Sequence, residues 1–321
     1  MGGPSEFSVQ PTRDHGGGLD AAIRAYGGQR EGWIDLSTGI NPVPYPVPSR
    51  FSAQAWTALP DQAAQDRLVK AARKFWHVPE GAAILPAPGA SALIAMIPAL
   101  RTPGDVCITT PTYNEHEAAF AAHGWRVVED GDARASVLVH PNNPDGRVWS
   151  RADAKTDLTV IDESFCDVMP ENSLIDLAAE PGRVVLKSFG KFWGLAGLRL
   201  GFAIAHPDLI AQMAARLGPW AVSGPALEIG ATALEDENWA RRTRQDLQAS
   251  AERLDALVLA KGARLVGGTT LFRLYETDNA RLWQEQLAKA HIWSRVFPYS
   301  DRFVRLGLPA PSDWYRLEAA L

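Results

Sequence analysis

The chain has 321 residues, of which 46% are hydrophobic and 21% charged, with a formal net charge of −5. That length can bury a large core, as two domains or one large α/β unit, and the ordinary apolar and charged content excludes wholesale disorder. The acidic balance argues against a nucleic-acid or anionic-membrane partner, either of which calls for a basic face.

The opening Met1-Gly-Gly-Pro-Ser-Glu-Phe has no basic stretch followed by an apolar core, so it does not read as a signal peptide. The longest apolar run, Ala92 to Leu100, is too short to span a bilayer and contains Pro98. These features predict a soluble, cytoplasmic protein. The first fifty residues read as an irregular Gly- and Pro-rich arm carrying His15-Gly-Gly-Gly and Asp35-Leu-Ser-Thr-Gly-Ile-Asn-Pro. Five prolines between Pro42 and Pro60 predict an extended path rather than a helix.

Asp61 is placed to cap a helix running to about Trp76, with Ala63, Leu68, Ala71, Ala72 and Phe75 as its apolar face. Pro86-Ala-Pro-Gly-Ala-Ser leads into a second helix, about Ala90 to Leu100. The period then changes. Val106-Cys-Ile-Thr-Thr, Arg126-Val-Val, Ser136-Val-Leu-Val, Leu158-Thr-Val-Ile and Val184-Val-Leu-Lys are short apolar runs bounded by turn residues, with helical stretches such as Glu115 to His123 between them. They predict buried strands, and the alternation predicts an α/β domain with a mostly parallel central sheet. From Pro225 to Lys261 the pattern is helical, with a break near Asp236. The last sixty residues alternate again: a strand pair near Arg264–Val266 and Thr270–Tyr275, a helix from Asn279 to Ala290, strands near Ile292–Val296 and Phe303–Leu306, and a closing helix from Ser312. They predict a smaller α/β domain. The two cysteines, Cys107 and Cys166, lie in apolar stretches and read as reduced core residues, too few for a disulfide framework.

Three segments carry chemistry. In Leu186-Lys-Ser-Phe-Gly-Lys-Phe-Trp-Gly-Leu-Ala-Gly-Leu-Arg-Leu-Gly-Phe, a strand delivers Ser188 and Lys191 into a Gly-punctuated turn, and Arg199 follows just before another strand. A lysine among apolar neighbours is desolvated when charged, which favours the neutral, nucleophilic amine. Ser188 and Arg199 can both donate to one anion, and the planar guanidinium suits phosphate. The alternative is a surface loop whose lysine is merely solvated. Leu158-Thr-Val-Ile-Asp162 sets a carboxylate at the C-terminal end of a buried strand, where α/β sheets place ligand contacts; the same position suits a helix cap. His140-Pro-Asn-Asn-Pro-Asp-Gly offers two amides in what is also a good β-turn on its own.

Together these segments resemble the fold-type-I pyridoxal-phosphate enzymes, the aminotransferase class I/II superfamily, over most of the chain from about Asp35 to Leu308. The resemblance implies the aspartate aminotransferase fold, a pyridoxal-phosphate-dependent transferase-like architecture. It also implies an arm (1–50) contributing to the small domain and the active site, a large cofactor-binding domain (51–224), and a small C-terminal domain (225–321) that includes the interdomain helix. By position, Lys191 matches the lysine that forms the Schiff base with the cofactor aldehyde, Asp162 the carboxylate that keeps the pyridine nitrogen protonated, and Asn143 the amide that bonds the ring hydroxyl and borders the substrate. Ser188 and Arg199 match phosphate ligands, and Ala90-Ser91 the backbone amides that cradle the phosphate. Tyr113 matches the aromatic that stacks on the ring, and Arg305 the small-domain arginine that pairs with the substrate α-carboxylate. The implied catalytic set is Lys191, Asp162 and Tyr113, with no metal.

Two positions depart from the commonest pattern. Phe165 stands where a tyrosine usually assists Asn143 at the ring hydroxyl, and Leu59 stands where many relatives supply a tyrosine to the neighbouring subunit's cofactor phosphate. His15-Gly-Gly, the Asp35–Pro42 segment and Phe165 are similar to the threonine-phosphate decarboxylase branch of the cobalamin pathway. That likeness implies a cytoplasmic homodimer acting on the small molecule L-threonine O-3-phosphate, with His15, Thr38 and Asn41 meeting the substrate phosphate. An aminotransferase of the histidinol-phosphate type is the alternative, since both share Lys191, Asp162, Asn143 and Arg305.

Overall fold

In the computed structural model, which describes residues 13–47 and 52–321, the elements run α1 (Leu19–Tyr26), β1 (Ile34–Asp35), α2 (Ala53–Thr57), α3 (Gln62–Phe75), β2 (Ala83–Ala87), α4 (Ala90–Met96), β3 (Asp105–Ile108), α5 (Asn114–Ala122), β4 (Arg126–Val128), β5 (Ala135–Val139), β6 (Leu158–Asp162), β7 (Arg183–Ser188) and β8 (Gly201–Ala205). There follow α6 (Pro207–Leu217), α7 (Gly224–Glu235), α8 (Glu237–Leu259), β9 (Arg264–Thr269), β10 (Phe272–Glu276), α9 (Ala280–Lys289), β11 (Ile292–Trp293), β12 (Arg295–Phe297), β13 (Ser300–Gly307) and α10 (Trp314–Ala320). The reading of Met1 to Phe7, and the boundary between arm and large domain at residues 50 and 51, lie outside the described residues.

The central sheet has the order β2-β8-β7-β6-β5-β3-β4. β7, β6, β5, β3 and β4 are parallel to one another, and β8 and β2 close one end antiparallel. Every residue of β5, β6 and β8 is buried, because helices cover both faces. Alternate side chains feed two cores: Ile161, Val185, Phe202 and Ile204 enter one, while Val160, Val184, Leu186 and Ala203 enter the other. A second sheet, β12-β13-β10-β9, is antiparallel throughout, and β1 pairs with β11 in a separate parallel ribbon. The N-terminal arm is thereby tied to the C-terminal third of the chain.

Several expectations need correction. The arm is not wholly irregular: Leu19 and Ala22 of α1 dock on Trp33 and Ala288, with Ile23, Tyr26 and Trp293 packed around them. The stretch between Pro42 and Pro60 is not all extended, because residues 53–57 contain no proline and Ser52 caps α2 by accepting from the Ala55 amide. β2 was hidden by Pro86, which the sheet tolerates because β2 is an edge strand. The helix beginning at Ala90 turns into a 3₁₀ segment at Ile97–Leu100, where Pro98 removes a donor. Ala63 at the start of α3 is exposed, whereas Leu68, Ala71 and Ala72 are buried as the periodicity predicts. Cys166 is buried, but Cys107 is only half-buried, its thiol donating to the Glu129 carbonyl. No helix among the described residues is long and apolar enough to cross a membrane.

Candidate active site

β5, β6 and β7 lie side by side, and the residues after their C-terminal ends converge, as open α/β sheets place their ligands. β5 leads to Asn143, β6 ends on Asp162, and β7 leads through Ser188 to Lys191. Gly89 starts α4 nearby. Ala90, Ser91, Tyr113, Asn143, Asp162, Ser188, Lys191 and Arg199 all line one cavity, together with Ser164 and Phe165. A second cavity shares Tyr113 and Asn143 with the first, and Asp14, His15, Arg295, Tyr299 and Arg305 line it further out.

Asp162 is buried. Its Oδ2 accepts from His116 Nε2 at 2.8 Å, and its Oδ1 accepts from the Ser164 amide at 3.0 Å and the Ser164 hydroxyl at 2.6 Å. Burial alone would raise this carboxyl, but His116 and Ser164 outweigh it and hold it below the usual aspartate range. Asp162 therefore stays anionic at the floor of the cavity. Lys191 Nζ sits 5.1 Å from the centre of the Phe165 ring and has no ion-pair or hydrogen-bond partner among the described residues. Burial, with help from Arg305 and Arg199 and against Asp162, brings its amine down to about 8. Burial, with Asp162 and Glu115, pushes the Tyr113 phenol up to about 12, so it remains protonated.

The two cavities also hold anion donors. The first backbone amides of α4, at Ala90 and Ser91, have no carbonyl partner within the helix, as at any helix start. Gly89 has φ +84°, and a Cβ there would lie 2.7 Å from Arg199 Nη2; a Cβ on Gly201 would lie 2.4 Å from the Ala90 nitrogen. Both glycines keep the cradle open for Arg199 and for the start of α4. Arg305, on β13, is buried over Phe272. Its Nη1 donates to Asn143 Oδ1, its Nη2 to the Ser37 carbonyl at 2.6 Å, and its buried Nε has no partner. Burial and then Arg295 lower its guanidinium to about 10, which leaves it cationic near neutral pH.

This donor set fits pyridoxal phosphate: cationic and amide donors for a phosphate, an anion for a ring nitrogen, an amide for a ring hydroxyl, and an unpartnered amine for an aldehyde. Thr38 and Asn41 do not join either cavity. Asn41 is buried and spent on the backbone: its Nδ2 donates to the Phe192 carbonyl and its Oδ1 accepts from the Val43 amide, both at 2.9 Å, while its own amide donates to the Lys191 carbonyl at 3.0 Å. It holds the Lys191 loop rather than a ligand. Thr38 packs its methyl toward Gly16 and Gly17. Leu59 is exposed on the segment between α2 and α3.

Sequence reasoning missed His116, Ser164 and Arg295. His116 had a signal, since it follows Tyr113, the residue that caps α5, by three positions and its ring meets the Tyr113 ring. Ser164 lies two residues after Asp162, the spacing of a local side-chain turn. Nothing local marks Arg295.

A lysine, a buried aspartate and an anion cradle at the carboxyl edge of this sheet define an enzyme of the aminotransferase class I and II type. The chain belongs to that family, whose model matches residues 128–320. It is 40% identical to a threonine-phosphate decarboxylase of Sinorhizobium sp and 37% identical to one of Pseudomonas aeruginosa, each over 96% of this chain and 97% of the relative. A histidinol-phosphate aminotransferase of Desulfitobacterium hafniense is 26% identical over 90% of this chain and 91% of its own. The fold is that of the histidinol-phosphate aminotransferase from Sinorhizobium meliloti, solved in complex with pyridoxal-5'-phosphate, with a TM-score of 0.78, 20% identity, and coverage of 99% of this chain and 96% of that one.

Proposed function

We infer that the protein is a pyridoxal-phosphate-dependent lyase that decarboxylates L-threonine O-3-phosphate to (R)-1-amino-2-propanol O-phosphate in cobalamin biosynthesis. The observation that carries this reading is the pair of cavities joined at Tyr113 and Asn143. The inner one is equipped for the cofactor, and the outer one presents two cations, Arg305 and Arg295, for a substrate with two anionic groups. The full-length likeness to threonine-phosphate decarboxylases supports it. Pyridoxal phosphate, when bound, supplies an electron sink for the charge left on the substrate as carbon dioxide departs.

The chain's own residues do the rest. Ser188, Arg199 and the Ala90–Ser91 amides would hold the cofactor phosphate. Asp162, kept ionised by His116 and Ser164, would meet the ring nitrogen. Asn143, aligned by Arg305, would offer its amide to the ring hydroxyl. Tyr113 would stack on the ring. Lys191, with its amine near 8, is neutral in an appreciable fraction of molecules at neutral pH and is the amine that would bond the aldehyde. Freed when the substrate's own amine takes its place, the same Nζ would carry the proton that replaces the lost carboxylate at the substrate's α-carbon. Arg305, which lines the outer cavity, is the cation for the substrate carboxylate, and Arg295 with His15 meets the substrate phosphate. On this reading the chain divides into an arm, 1–50, contributing to the small domain and the active site, a large domain, 51–224, and a small domain, 225–321.

The same reading makes the enzyme cytoplasmic and a homodimer, and sedimentation of the purified protein checks the dimer. Leu59 and Trp220 are exposed apolar side chains of the kind a second copy would cover. The deciding assay supplies cofactor-loaded protein with L-threonine O-3-phosphate and no keto acid. Sustained release of carbon dioxide is expected. A single conversion of the cofactor to its amine form, without carbon dioxide, would mean an aminotransferase instead.

A further inference from the structure

Arm residues Asp14, His15 and Gly16 line one part of the outer cavity. Both carboxylate oxygens of Asp14 engage Arg295, one with Nη1 and one with Nη2, each at 2.7 Å. The Asp14 carbonyl takes a further bond from Nη2 at 2.9 Å and one from Asn114 Nδ2 at 3.0 Å. The Arg295 side chain is 13% exposed and that of Asp14 48%, so the cation lies inward and the carboxylate caps it from the solvent side. The flanking residues are tied separately to α5: Glu115 pairs with His15 at 2.9 Å and with Arg13 at 2.5 Å. The pair therefore lies on the lining of the outer cavity, together with a second guanidinium, Arg305.

We propose that Asp14 is an intramolecular competitor for the phosphate subsite: its carboxylate occupies Arg295 as a phosphate would, a phosphorylated substrate displaces it, and its return helps expel the phosphorylated product. The proposal rests on the assignment of a phosphorylated amino acid made above. Carboxylate and phosphate both accept the two parallel N–H bonds of a guanidinium, so the exchange leaves Arg295 satisfied at either end. A phosphate brings close to two negative charges near neutral pH, against one for Asp14, which favours the incoming ligand. Loss of carbon dioxide removes the product's hold on Arg305 but not its phosphate. A cavity that gripped phosphate with an uncontested Arg295 would retain product, and an internal carboxylate weakens that grip without removing the donor.

The test is calorimetric titration of the cofactor-loaded protein with inorganic phosphate, in the wild type, in Asp14→Asn and in Asn114→Ala. Asp14→Asn should bind phosphate about fivefold more tightly, the amount a partly exposed ion pair is worth. The inhibition constant of the aminopropanol phosphate product should fall by the same factor. Asn114→Ala removes an uncharged tether to the Asp14 carbonyl and leaves the competing carboxylate in place, so its phosphate affinity should stay within about twofold of wild type on the same scale. Unchanged or weaker phosphate binding in Asp14→Asn overturns the proposal, and so does equal tightening in Asn114→Ala, which would trace the effect to steric closure. Absence of phosphate binding in every form overturns it as well. Failure to turn over L-threonine O-3-phosphate, with phosphate binding still tightened by Asp14→Asn, refutes the substrate assignment and leaves the competitor standing.

Discussion

Replacing His116 with phenylalanine removes the donor that faces Asp162 Oδ2 at 2.8 Å while keeping a flat ring in a buried slot. A hydrogen bond to a charged acceptor contributes roughly 1.5–3 kcal/mol, which corresponds to about one to two pH units in the carboxyl's titration. In the wild type, burial raises the Asp162 carboxyl, and His116 with Ser164 more than cancels it. With His116 gone, burial is opposed only by Ser164, and the folded-state pKa rises. The sign follows directly. A lowered carboxyl stays ionised until the pH falls through its folded value, so raising that value moves the loss of charge to higher pH. The assay is the dissociation constant of pyridoxal phosphate for the cofactor-free protein as a function of pH. Binding to His116→Phe should begin to weaken on acidification about one to two units above the wild-type limb and converge toward it in alkali. A constant ratio between the two proteins across the whole range would refute the assignment of Asp162 as the ring-nitrogen partner held by His116.

Lys191→Ala should bind cofactor without the visible absorbance of a lysine-linked aldehyde and without borohydride-dependent labelling; a yellow, reducible variant would move the reactive amine elsewhere. Arg305→Ala should raise KM for the substrate at least about thirtyfold, the lower end of what truncating one partner of a buried charge pair costs. Its cofactor affinity should change much less, through the lost bond to Asn143, and equal losses would take Arg305 out of the substrate site. Gly89→Ala forces a side chain into the left-handed region and toward Arg199. Pushing Arg199 out of the cradle would cost a charge-assisted bond of roughly 1.5 kcal/mol, so pyridoxal-phosphate affinity should drop about tenfold, and an unchanged affinity in an equilibrium titration would show that the cradle does not hold the phosphate.

The fold was legible where the chain is buried on both faces. β5, β6 and β7 are short apolar runs between turn residues because both layers of helices press on them, and the residues that follow them inherit the carboxyl edge of the sheet. That placement brings Asp162, Asn143 and Lys191 together without any long-range inference. β2 and α2 were illegible because proline rules describe isolated backbone, not an edge strand or a gap between prolines. The outer cavity was the hardest part to read. Asp14 and Arg295 are 281 residues apart, and each has an ordinary charged surface context in sequence. In the arm, the choice between Asn41 as a ligand and Asn41 as a strut depends on how the chain crosses the Lys191 loop. The backbone there presents the carbonyls of Lys191 and Phe192, and Asn41 donates to both.

Lys187 and Lys191 illustrate why burial by itself does not make a lysine reactive. Both stand in the same apolar segment, four residues apart, and both are desolvated. Lys187 points into the core beside Trp76, with Glu163 at 2.6 Å and Asp167 at 3.5 Å. Burial lowers its pKa, but the two carboxylates outweigh burial and hold it above the usual lysine range. Asp167 in turn accepts from the indoles of Trp76 and Trp193, which fixes the base of the loop that carries Lys191. Lys191 has no such carboxylate. Asp162 is the nearest candidate, but its oxygens are engaged by His116 and Ser164, while Arg305 and Arg199 push in the same direction as burial. The difference lies in where the neighbouring acids spend their lone pairs, which sequence spacing does not encode. One lysine becomes a permanent cation that braces the loop, and the other an amine free to react.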